Sequence, residues 1–440
     1  MTQRYLEQFD EFIRGDARKA PAALNARRRA AIEQFAGLGF PTKKNEDWHF
    51  TSVAPIAERE FTFVAARTGD VTHDDLEPFG FGGEGWHTVV VVNGRYAPEL
   101  SSLSRLDPGV RVMSLNDAWT QAPELTQLVG TIVTDAEQHT FTALNTAFMP
   151  DGVVVHVPKE IVLREPIHLV FVSDAHAAKT VMYPRNLIVV DRGARATVLE
   201  SYVALSDASY FTNAVTEVSV ADGATLEHYK IQRESRRAFH VGTIEATQGR
   251  DSHFISFSFS TGGSLTRTNI YTKLAGAGCG STLNGLYMLD SEQHCDHQTK
   301  IEHVAPNCFS REVYKGVLDG RSHGVFNGKV YVHPAAQKTD GKQTNNTLLL
   351  SRDAQVDTKP QLEIFADDVK CTHGATVGKL DEMAWFYMKS RGMDAETARR
   401  LLIYAFAADV LETIEQTEVR EGLERFTLER FVKQEELAGV

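Results

Sequence analysis

The stretch DRGARATVLESYVALSDASYFTNAVTEVSVADGATLEHYKIQ, residues 191–232, decides the fold. Inside it the runs ATVLESYVA, AVTEVSVA and ATLEHYKIQ are short and alternating, which is the period of a β-strand, and none carries helical spacing. Glycines punctuate them: Gly193 and Gly223 here, then Gly249, Gly278 and Gly320 further along, at gaps of 30, 26, 29 and 42 residues. The first three gaps suit a coil of two strands and their turns. Such a coil cannot bury its apolar face alone and must stack on its neighbours, so the segment is expected to be a solenoid. GVVVHVP, NLIVVD and HFISFSFS extend the same texture over residues 151–378. A sandwich of short strands is the rival, and the near-constant glycine spacing favours a parallel β-helix.

A stack of coils needs capped ends, and the flanking regions are expected to provide them. Residues 1–150 read as a mixed, largely helical region, with LNARRRAAIEQFAGLGF as a helix stopped by glycine and WHTVVVVNGRY as a strand entering an Asn-Gly turn. Residues 379–440 read as a helical domain. KLDEMAWFYMKSRG ends at Gly392, and Asp394 caps the next helix, where Leu401, Leu402, Tyr404, Ala405, Ala408 and Leu411 form an apolar stripe. That stripe is expected to pack on the solenoid end, with docking of another protein as the sharper alternative.

The chain has 440 residues, enough for two or three structural regions, and its formal charge is −12 with acid and base mixed throughout. Neither a nucleic-acid surface nor a polybasic membrane patch is expected. MTQRYLEQFDEFIRGDARKA has no apolar core of a secretory signal, and TVVVV and LLIYAFAA are too short to span a bilayer, so a cytoplasmic protein is expected. Cys279, Cys295, Cys308 and Cys371 are expected to stay as thiols.

Two nucleotide motifs fail. GFGGEG (80–85) precedes a strand and opens no helix, so it is expected to be a flexible loop, and GVFNGKV lacks both the length and the hydroxyl of a P-loop. The stretch HCDHQTKIEHVAPNC offers His294, Cys295, His297, His303 and Cys308, but an extended strand sends His294 to the face opposite Cys295 and His297, which points to polar packing. In VKCTHGATVG (369–378) two-residue spacing puts Cys371 and His373 on one face of a strand, close enough to bind one metal or for the imidazole to lower the thiol pKa; packing is the competing reading. No Ser/His/Asp triad or catalytic carboxylate pair stands out.

The runs YKGVLDGRSHGVFNGKVYVHPAAQKTDGKQTNNTLLLS (314–351) and KPQLEIFADDVKCTHGATVGKLDEMAWFYMKSRG (359–392) closely resemble the SufB/SufD family of iron-sulfur cluster assembly scaffolds, with NEDWHFT (45–51) as a weaker N-terminal match. Within the family the chain is similar to the SufD type. It reads Cys371-Thr-His373-Gly-Ala-Thr376 where SufB-type subunits carry E-H-E-A-T, and the segment before Thr358-Lys-Pro360 lacks their sulfur-accepting cysteine. The resemblance implies a right-handed parallel β-helix, a helical N-terminal region, and a C-terminal helical domain that binds the ABC-type ATPase SufC. It also implies pairing with a SufB-type subunit through the β-helix ends, or with a second copy when alone. His373, with Cys371, would then be a candidate ligand for iron or a nascent cluster at that interface, the isolated chain holding no cofactor. A non-enzymatic scaffold is the expectation; a β-helix enzyme acting on polysaccharide and a purely structural subunit with inert Cys and His are the alternatives.

Overall fold

Strands alternate between two sheets along the chain. Phe211–Val220, Phe239–Gln248, Leu265–Leu274, His294–His303, His323–Val332 and Gln355–Ile364 lie side by side in the first sheet. Arg195–Ala204, Thr225–Arg233, His253–Ser260, Gly280–Leu289, Phe309–Leu318, Asp340–Leu349 and Lys370–Gly378 do so in the second. All these neighbours pair in parallel, with register partners from 26 residues apart (Phe239 and Leu265) to 32 (His323 and Gln355). Each pair of strands is therefore one turn of a parallel β-solenoid, as the alternation predicted. The computed structural model describes residues 2–63, 69–83, 85–103, 106–133 and 139–431.

The turn that leads from the first sheet to the second needs one residue in the left-handed region. Gly193, Gly223, Asp251, Gly278, Asn307 and Lys338 take it, with φ from +53° to +77°. Glycine does so without a Cβ penalty, and Asp and Asn tolerate it best among the rest. Gly249 is not the left-handed residue of its turn, and Gly320 belongs to the turns running the opposite way, from the second sheet to the first.

The two inner faces meet along the axis, where Val155, Ile188, Val218, Ala246, Thr272, Ile301 and Val330 make one continuous inward row and Leu226, Phe254 and Leu283 face them. One end is closed. His87–Val92 joins the second sheet in parallel and carries the antiparallel Arg95–Tyr96, while Arg111–Ser114 ends the first sheet antiparallel to Val153–Val157. The helices Thr2–Arg14, Ala22–Leu38 and Thr140–Phe148 lie on the flank instead: Tyr5, Phe9, Phe35 and Phe148 pack with Tyr183, Phe211 and Phe239 on the outer side of the first sheet.

The C-terminal helices also cover a flank rather than an end, which corrects the expectation of a cap. In Ala395–Leu411 the buried residues are Ala398, Ile403, Ala407, Val410 and Leu411, so of the expected stripe Leu411 is buried, whereas Leu401 and Ala405 are exposed and lie nearly opposite Ile403 and Ala407. This face shares one core with Phe257, Phe259, Leu286, Met288 and Val317 from the outer side of the second sheet. Polar ties fix it there: Asn284 Nδ2 donates to Thr413 Oγ1 (3.0 Å) and Lys315 Nζ to the Phe406 carbonyl (2.8 Å). Residues 432–440 of the expected helical domain lie outside the described residues.

Buried histidines make the fold acid-sensitive. Burial pulls His168 and His297 from the ordinary 6.5 down to about 3, and His294 and His303 down to about 4. The unfolded chain binds protons at these sites from about pH 6.5 downward and the folded one does not until pH 3–4. Stability is therefore full above 6.5 and falls as pH drops toward 4. Glu312, raised by burial to about 7, works the other way over part of that range, as one group against four. Thermal melts followed by circular dichroism are expected to show Tm falling by ten degrees or more (order of magnitude) between pH 7 and pH 4.5; a constant Tm would show the histidines to be accessible when folded.

Candidate functional site

The other end of the solenoid is open. Gln355–Ile364 and Lys370–Gly378 each pair on one side only among the described residues, and their side chains are mostly exposed where the preceding coils are buried. Lys370 N donates to the Thr339 carbonyl, so by the alternation of a parallel ladder Thr372, Gly374 and Thr376 also face the sheet. The N–H groups of Cys371, His373, Ala375 and Val377 then point away from it, toward whatever adds the next strand. On the first sheet Gln355 N and Phe365 N donate inward, which leaves Pro360 with its missing N–H on the open side, where a proline costs no ladder bond.

Cys371 and His373 do share a face, the inward one. Cys371 continues the row Ser310, Gly341; His373 continues the row Glu312, Gln343. Their environments differ. Cys371 is half-buried against the cluster of Val330, Val332, Ala336 and Ala366, and burial pushes its thiol above the ordinary 9.0. The expected lowering of the thiol by the imidazole does not occur, because lost hydration of the thiolate outweighs any attraction at this spacing. His373 is exposed on the open end. Among the described residues no three His, Cys, Asp or Glu side chains converge on a metal position, so the pair is by itself a partial donor set.

The NEDWHFT segment braces the outer side of the first sheet beside this end. Trp48 stacks on the Arg267 guanidinium, 3.7 Å from its ring centre, and Thr51 Oγ1 donates to Asp296 Oδ2 (2.6 Å). Glu46 reaches Lys359, on the last strand of the sheet, at 2.8 Å. The 294–308 stretch is thereby dispersed. His294 bonds Thr51 outside the coil (2.8 Å), and Cys295 and His297 lie inside it, Sγ to Nδ1 3.7 Å. His303 meets Ser310 (3.0 Å), while Cys308 sits beside the Gly276 carbonyl (3.3 Å) that also accepts from Cys279 (2.8 Å). Of GFGGEG, Glu84 lies outside the described residues. The rest leads into the strand as expected, but Phe81 is packed, stacking on Trp86 and touching the last helix at Gly422.

A second surface escaped sequence reading. The helix Glu382–Ser390 starts at Asp381, whose carboxylate accepts from Met383 N and Ala384 N, and none of its residues is buried. Met383, Phe386 and Tyr387, at i, i+3 and i+4, are 76%, 65% and 58% exposed on one face. Aromatic and Met side chains gathered in this way mark an interaction surface. EMAWFYMKS is apolar almost all round, so no period distinguished its outer face from its inner one.

Two family models cover the chain: the SufBD core domain of the SUF system for FeS cluster assembly matches residues 171–406, and the SufBD protein N-terminal region matches residues 1–169. The iron-sulfur cluster assembly protein SufD of Escherichia coli is 33% identical over 401 residues, covering 91% of this chain and 90% of that one. A SufBD family protein of Synechocystis is 34% identical over 397 residues, 88% and 87% of the two chains, and SufD of Bacillus subtilis is 28% identical over 98% of each.

Proposed function

The chain belongs to the SufBD family of the SUF iron-sulfur cluster assembly system, and from that premise we propose that it is a SufD-type scaffold subunit, itself non-catalytic. A SufB-type subunit adds to the open solenoid end, and an ABC-type ATPase subunit docks on the helix Glu382–Ser390. The observation that carries this reading is the open end itself. A stack this long would expose two raw strand edges and the inward row of Cys371 and His373 to water, a state natural sheets avoid unless another chain covers it. Iron or a nascent cluster is then cargo held between chains. His373 supplies a borderline nitrogen donor, the partner supplies soft sulfur, and Cys371 ligates or supports from the side. The absence of a P-loop in this chain assigns ATP hydrolysis to the partner. No helix among the described residues is long and apolar enough to cross a membrane.

The two docking surfaces are separable by mutation. Affinity purification of the tagged chain carrying Phe386→Asp and Tyr387→Asp is expected to lose the ATPase subunit by at least tenfold and to keep the SufB-type one. Ala375→Pro, which removes an N–H on the open side and no ladder bond within the chain, is expected to do the reverse. Retention of both partners by both variants would place the interfaces elsewhere.

A further inference from the structure

Beneath His373 the inward row holds two buried side chains, Gln343 one coil down and Glu312 one further, each 1% exposed. Gln343 Nε2 donates to Glu312 Oε2 at 2.6 Å. A carboxylate only accepts here, so it decides which way the amide points: the NH2 faces Glu312 and the carbonyl oxygen faces away. Gln343 Oε1 is buried and has no hydrogen-bond partner among the described residues. Leaving such an acceptor unpaired forfeits its hydration with nothing in return, and an orphan of this kind calls for an explanation. Its side chain is also confined. On the facing strand, a Cβ added to Gly328 would lie 2.1 Å from Gln343 Nε2 and 2.7 Å from its amide carbon, so glycine there makes the space that Gln343 fills. Burial raises Glu312 to about 7, so the amide is fixed in this sense above that pH, where Glu312 is a carboxylate.

We propose that Gln343 is a positioning residue for His373, its free carbonyl oxygen accepting the ring N–H of His373 once a partner closes the open end, so that the other ring nitrogen is turned toward iron. Histidine ligands are commonly oriented in this way, by an acceptor on the nitrogen that does not bind the metal. The row supplies that acceptor in advance, held by Glu312 below and by the space at Gly328. The inference rests on the reading of His373 as a ligand, and a double-mutant cycle separates the two.

The measurement is an anaerobic iron(II) titration of the chain purified with its SufB-type and ATPase subunits. Gln343→Met keeps the length and removes the acceptor. It is expected to weaken iron(II) binding by about 10–100-fold when His373 is present, and to cause no further loss in a His373→Ala background. Gly328→Ala, which crowds Gln343 without deleting it, is expected to weaken binding in the same direction and keeps the test open should Gln343→Met fail to fold. Equal losses from Gln343→Met in both backgrounds, or none in either while His373→Ala is impaired, would overturn the positioning role alone. Wild-type binding by His373→Ala would overturn the ligand reading and with it this inference.

Discussion

Deletion of residues 393–440 is expected to abolish the fold, not merely to detach a docking module. Were the solenoid and the C-terminal helices to bury separate cores, β-sheet content would survive the cut. The structure merges them: Ile403, Ala407, Val410, Leu411, Ile414, Val419 and Leu423 share one cluster with Phe257, Phe259, Leu286, Met288 and Val317. Uncovering an apolar side chain of that size forfeits ~1.5–3 kcal/mol. Five of them on one sheet face therefore rival the ~5–15 kcal/mol that holds a typical domain together. Lys315 makes matters worse, because the cut removes both the Phe406 carbonyl and the Asp409 carboxylate (2.5 Å) that receive its ammonium at a nearly buried site. The truncated chain should aggregate on expression, or bind a hydrophobic dye and lose its cooperative melt. A soluble monomer with an unchanged sheet spectrum and a Tm within a few degrees of the full chain would show the shared core to be dispensable.

The solenoid was legible because alternation is a local property, visible within each strand. The exact coil was less so. The glycine series picked up Gly249 and Gly320, whereas the turn that repeats uses Asp251, Asn307 and Lys338 in three coils where no glycine holds the left-handed position. A backbone conformation recurs every coil, and the residue chosen for it does not. The helix stripe was misplaced for a related reason: Ala395–Leu411 is apolar on several faces, and only the sheet beneath selects Ile403, Ala407 and Val410. The shared face of Cys371 and His373 followed from spacing, yet the half-burial that keeps Cys371 protonated comes from Val330, Val332 and Ala336, on strands and turns some 35 to 40 residues earlier. Gln343 was invisible for the same cause, since its place under His373 is set by a register 30 residues long.

The account turns on His373. An imidazole on an exposed strand at an open solenoid end is free to meet a thiolate from another chain, and among the described residues this chain by itself brings together too few donors for iron. His373→Ala removes no packing of consequence, because the side chain is exposed, so assembly with the partner subunits should be normal. Loss of a direct ligand should exceed the roughly 10–100-fold effect of losing a supporting residue, whereas Cys371→Ala should be milder. The decisive measurement is growth and cluster-enzyme activity of cells that lack every other assembly pathway and carry His373→Ala as their only copy. The account predicts an assembled complex, no maturation of cluster enzymes and no growth; normal growth on that copy would contradict it and leave Cys371 and His373 as packing at a structural joint.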